Sequence, residues 1–240
     1  MALQIKKISG SSASIGELNL NTVRGLTLAQ IINHPNLGQI KRLLCASMLT
    51  IAQQAQLPPL NTRFNIRKQS GLTCQTALFG NAFGMLYQED GPSELIFQNI
   101  DTIRDKARND GYNPMETRAI GYVLQSQNIL NSIDTKTVKT GSGASFSIKN
   151  PIQETENLFR ERSFMAVTVQ NEFGGLGHAY ALIPSTSPSE EKFVIKLDSL
   201  AGEQSPLSFS GFLDMLLSSA NPQSEITYQT YEATVNLIMV

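Results

Sequence analysis

The sequence predicts an α+β fold, and three observations carry that expectation. Apolar residues recur at helical spacing up to about residue 133, short β-branched runs take over from Ser163, and neither an internal repeat nor an interdomain linker separates the two halves. An N-terminal helical half, including a buried helix that starts at Cys74, is therefore expected to pack on a C-terminal antiparallel β-sheet. A single domain over residues 1–240 is expected, with 1–25 a loosely ordered lead-in.

The elements are read in chain order. A short strand near Leu3 to Ile8 opens the lead-in. Leu26 to His34 and Asn36 to Ala55 read as helices, the second carrying an apolar stripe of Ile40, Leu43, Leu44, Met48 and Ile51, with Cys45 packing beside it. LPPL at 57–60 ends that helix and opens a basic, exposed linker, NTRFNIRKQ. After a turn at Ser70 and Gly71, Thr73 can act as N-cap of a helix in which Ala77, Leu78, Ala82, Met85 and Leu86 recur. Pro92 then opens a helix to about Asn109 with Leu95, Ile96, Ile100 and Ile103 inward, and a further helix runs from about Met115 to Ile133. Residues 134–149, rich in Gly, Ser, Thr and Lys, read as a mobile loop that can hold a short strand at Ser145 to Ile148. KTGSG at 139–143 lacks the order of a phosphate-binding loop. SFMAVTVQ, HAYALIP and KFVIKLD, at 163–170, 178–184 and 192–198, form an antiparallel meander. Leu207 to Ala220 returns to helix, and Glu225 to Val240 closes the chain with one or two strands. The terminal LIMV is read as strand, with an export signal as the alternative.

Composition narrows the function classes. A hydrophobic content of 41% suits an ordinary packed core, and a net charge of -1 supplies no global attraction for nucleic acid or an acidic membrane. No run resembles a signal peptide or reaches the apolar length of a membrane span, so no membrane span is expected. Two cysteines argue against a disulfide framework and fit a reducing, cytosolic site of action, with secretion by a non-cleaved signal left open. No Cys/His cluster suits zinc, and no metal or cofactor is expected.

Chemistry concentrates on one cysteine. A thiol at a helix start meets unpaired N–H groups and the positive end of the helix dipole, which favour thiolate, so Cys74 is expected to have a lowered pKa. The same residue could instead be a small apolar member of a core. The chain has two histidines. His34, beside Pro35 at a helix end, reads as a capping or surface residue, whereas His178 opens a strand after the glycine-rich turn NEFGGLG. A hairpin turn centred near Pro188 places His178 opposite Asp198, with Tyr180, Leu182, Val194 and Lys196 on the same face. A slip of one residue would send imidazole and carboxylate to opposite faces. In that register Asp198 holds one imidazole nitrogen and the other addresses the Cys74 sulfur, giving a nucleophile, a base and an orienter.

The order of Gln69, Cys74 in GLTCQTA, His178 in GLGHAYAL and Asp198 in VIKLDS resembles that of the papain-like cysteine hydrolases. The resemblance spans residues 69 to 198 on short motifs. It implies a papain-like fold, a Cys74, His178 and Asp198 triad, and an oxyanion-hole role for Gln69, although the spacing from Gln69 to Cys74 is one residue shorter than is common there. Lacking a disulfide framework, the chain looks similar to papain-like effectors that bacteria deliver into host cells as virulence factors, among them cysteine proteases, deubiquitinases and glutamine deamidases. The implied activity is acyl transfer from an amide of a protein substrate, such as a host or ubiquitin-like protein. A deamidase or transglutaminase using the same triad, and a non-enzymatic interaction module with a structural Cys74, stand as alternatives.

Overall fold

The computed structural model describes residues 18–26, 30–31, 33–55, 65–139, 158–159, 162–171, 177–185, 194–218 and 224–233. The expected strand near Leu3 to Ile8, the LPPL turn, the short strand at Ser145 to Ile148, the glycine-rich 172–176 and the terminal LIMV lie outside those residues.

The described chain is α+β. Its helices are Leu20–Arg24 (α1), Leu37–Ala55 (α2), Cys74–Tyr87 (α3), Asp90–Gln98 (α4), Ile100–Asn109 (α5), Thr117–Ser126 (α6) and Phe209–Ser218 (α7). Its strands are Leu130–Lys139 (β1), Ser163–Asn171 (β2), His178–Pro184 (β3), Val194–Asp198 (β4), Glu203–Leu207 (β5) and Ser224–Ala233 (β6). The strands form one sheet in the order β1-β6-β2-β3-β4-β5, antiparallel at each pairing. No helix among the described residues is long and apolar enough to cross a membrane.

Alternation along the strands divides the core into two. Phe164, Ala166, Ala179, Ala181, Ile195, Leu197 and Tyr231 bury against α3 and the helices that follow it. Their neighbours Met165, Val167, Tyr180, Leu182 and Val194 bury on the other side with Val23, Ile40, Leu44, Phe212 and Leu213 of α1, α2 and α7. Helices thus cover both faces of the sheet, where the sequence suggested a helical half stacked on one. Alanines on the first face let α3 approach closely, and Phe79 meets Phe164 and Tyr231 edge-on at 5.7 and 5.4 Å between centroids.

Several boundaries differ from expectation for local reasons. The lead-in contains α1, capped by Asn19, whose Oδ1 accepts from the Thr22 amide at 3.0 Å, and Val23 is fully buried. The long helix expected after Pro92 is broken at Asn99, whose side chain donates to the Leu95 carbonyl at 2.8 Å. Leu95 thereby faces solvent, 41% exposed, instead of inward. The next helix stops at Ser126, because Asn128 turns the chain with a left-handed φ of 58°, and Leu130 begins a strand. The first part of the expected loop, from Asp134 to Lys139, is therefore β1, paired along its length with β6 and bulged between Ser132 and Asp134. Leu207 ends β5 rather than opening a helix.

Helix α6 meets β6 at Gly121, where an added Cβ would lie 2.4 Å from the Tyr231 hydroxyl oxygen and 2.9 Å from its ring carbon. Gly121→Ala should lower stability by about 1–3 kcal/mol in urea unfolding. Gly38→Ala, where nothing lies within 4 Å of the new methyl group, should not; equal losses at both positions would contradict this close packing.

Candidate active site

Helix α3 starts at Cys74, as the sequence predicts, and it is buried without interruption from Cys74 to Met85. Two polar clamps fix the segment that leads into it. The fully buried Asn81 amide accepts from the Arg67 N–H at 2.9 Å and donates to the Arg67 carbonyl at 3.0 Å. Two residues on, the Gln69 N–H donates to the Ser199 carbonyl and the Ser199 hydroxyl to the Gln69 side-chain carbonyl, both at 2.9 Å. The approach to Cys74 is thus tied to the turn that follows Asp198. Gly71 then reverses the chain with φ +58°.

Thr73 occupies the N-cap position but does not cap with its side chain; its hydroxyl donates to the Ser70 carbonyl at 2.7 Å. Amides at the start of the helix are consequently free to meet the thiol. Burial pushes the Cys74 thiol above its ordinary value, opposed by N–H groups of Ala179, Gln75 and Cys74 itself and reinforced by the nearby Asp198 charge. The lowered pKa expected from the helix terminus is therefore overturned: the donors are present, but removal from water outweighs them.

The contact with Ala179 brings the sulfur against the peptide that follows His178. His178 is the first residue of β3, and its Nε2 lies 2.9 Å from Asp198 Oδ1 at the end of β4. The register is not the one anticipated. Ala181 lies opposite Leu197, two residues beyond the Ile195 that the predicted turn requires. An even shift keeps imidazole and carboxylate on one face, so they meet diagonally. Among the described residues, Nδ1 of His178 makes no hydrogen bond, and the ring is not hydrogen-bonded to Cys74.

Asp198 is heavily used. Its Oδ1 also accepts from the Leu200 and Ala201 amides at 3.1 and 3.4 Å, and its Oδ2 faces Lys196 Nζ at 3.0 Å. Burial alone would raise this carboxyl, but hydrogen bonds from Lys196 and His178 outweigh it and hold it below the usual carboxylate range. Gln69 sits beside the site with its side-chain nitrogen donating to the Gly71 carbonyl at 2.9 Å; a primary amide has a second hydrogen to give.

The remaining candidates lie apart. His34 Nδ1 accepts from the Asn36 amide at 3.0 Å, the capping role its position suggested, and Cys45 packs half-buried on α2. Among the described residues no cluster of His, Cys, Asp and Glu could hold a metal. Sequence reasoning missed Asn81 and Ser199. Asn81 carried a signal, since an amide within an otherwise apolar helix must find buried partners; Ser199 carried none. No protein-family model matches the chain, and no curated protein sequence matches it.

A carboxyl held low in the folded state stabilises the fold above its unfolded value of about 3.9, and that contribution is lost as pH falls through the folded value. Asp198→Asn should therefore lower stability at pH 7, and its deficit against the native chain should narrow as urea unfolding is repeated at pH values below about 3.9. A deficit independent of pH would contradict the charged role.

Proposed function

We propose that the chain is a papain-like cysteine hydrolase that cleaves an amide of a protein substrate through an acyl-enzyme on Cys74. The observation that carries the reading is the arrangement around His178. Asp198 holds Nε2, Nδ1 is left without a partner among the described residues, and a helix-start thiol lies against the next peptide.

In this mechanism neutral His178 takes the thiol proton at Nδ1 as Cys74 Sγ attacks the substrate carbonyl. Sulfur forms the new bond to carbon, and the carbonyl oxygen becomes an oxyanion. The Cys74 N–H and the second Gln69 amide hydrogen stabilise it, each well-aimed donor contributing about 3 kcal/mol in comparable sites. Collapse breaks the carbon–nitrogen bond, and imidazolium protonates the leaving amine. A water, deprotonated by His178, then attacks the thioester and releases the acid and the thiol. Catalytic hydrogen bonds are often completed only with substrate bound, so the missing sulfur–imidazole bond is compatible with the mechanism.

The nature of the amide separates a protease or deubiquitinase, which cuts a chain, from a deamidase, which converts a glutamine side chain to a carboxylate, and a transglutaminase, which passes the acyl group to an amine. The burial of Cys74, 5% exposed among Leu78, Phe79 and Ala179, favours one further reading, a structural thiol in an interaction module.

Incubation with an activated ester, followed by intact mass and peptide mapping, should place one acyl group on Cys74, and that labelling should be lost in His178→Ala. Gln69→Ala should lower kcat on an amide about a hundredfold with a smaller change in KM. Absence of any adduct on Cys74, or equal labelling of Cys45, would support the structural reading.

A further inference from the structure

Lys196 is not a solvated surface lysine. Its ammonium lies 3.0 Å from Asp198 Oδ2 and 4.5 Å from the centroid of the Tyr180 ring, and its side chain is 29% exposed. The Tyr180 ring, itself 6.0 Å from the His178 ring, forms part of the core beneath the pair. The cation is thus held between a carboxylate and a π-face, two partners that restrict it in different directions.

We propose that Lys196 is a positioning residue of the Cys74, His178 and Asp198 site, orienting the Asp198 carboxylate toward Nε2 of His178 and drawing part of its negative charge away from the imidazole. The inference rests on the hydrolase reading. An Asp with a single partner can rotate about its terminal bond and exchange its oxygens. Here Oδ1 is occupied by His178 and two backbone amides, while Oδ2 is occupied by Lys196, so rotation would break contacts at both oxygens. A bare carboxylate beside an imidazole strongly favours imidazolium. Lys196 takes up part of that charge at Oδ2, so this carboxylate acts on the imidazole less strongly than an unpaired one would.

Other charged or titratable groups lie near this cluster. Glu203 of β5 stands opposite Asp198 in the sheet and is exposed. Lys68 lies beside Gly202 of the following turn, and Cys74 approaches from α3. Among described residues, Lys196 is the cation bonded to the carboxylate in addition to His178.

The test is a ring-proton NMR titration of the full chain, in which His34 serves as internal control for His178. Lys196→Met, which keeps the length of the stem, should move the His178 titration midpoint to higher pH by about one unit and leave His34 in place. Lys196→Gln, which can still donate to Oδ2, should move it in the same direction and provides the readout if the methionine variant fails to fold. Lys196→Arg should restore the native midpoint. An unchanged midpoint in both neutral variants would overturn the inference and reduce Lys196 to packing on Tyr180. That failure is distinguishable from failure of the hydrolase reading, which shows as a Cys74 indifferent to His178→Ala whatever Lys196 does.

Discussion

The structure depends on the burial of one helix along nearly its whole length. Helix α3 lies under the sheet with Cys74 to Met85 removed from water, which requires small residues where other elements approach. Ala166, Ala179 and Ala181 supply them on the sheet, and Gly80 supplies one toward α4, where an added Cβ would come within 2.6 Å of the Phe97 ring. A helix so enclosed cannot leave polar groups unmatched at low cost. Asn81 resolves its own need by binding both backbone groups of Arg67, and in doing so fixes the path of the chain into Cys74. Packing of the helix and placement of the thiol thus follow from one constraint.

That constraint also sets the electrostatics. The enclosure that places Cys74 raises its pKa, while Asp198, at the open ends of β3 and β4, finds enough donors to be held low. The site combines a thiol reluctant to ionise alone with a carboxylate that stays charged. The bonds between Gln69 and Ser199 join the two parts, tying the segment before Cys74 to the turn after Asp198.

Legibility in the sequence followed the physics of each element. The start of α3 and the bounds of β3 were readable, because a turn followed by helical apolar spacing, and a seven-residue β-rich run between turn-formers, have few other solutions. His178 and Asp198 were paired correctly through an incorrect register, since a shift of two residues preserves the face while a shift of one does not. Edge strands β1 and β5 were missed: TKTVK lies in a Gly-, Ser-, Thr- and Lys-rich stretch with no apolar alternation, and EQSPL carries Pro206, which is tolerated because an edge has unpaired positions. The sign of the Cys74 shift was unreadable for another reason. The helix terminus is local and visible in sequence, whereas the depth of burial depends on strands about a hundred residues away in the chain.

The most direct test of the central claim is the alkylation rate of Cys74 as a function of pH, with Cys45 as internal control, in the native chain and in His178→Ala. With His178 acting as base, native Cys74 should be alkylated faster than Cys45 at pH 7 even though burial holds its thiol above the ordinary value, and His178→Ala should abolish that advantage. A Cys74 that reacts no faster than Cys45, with a pH profile unchanged by His178→Ala, would contradict it.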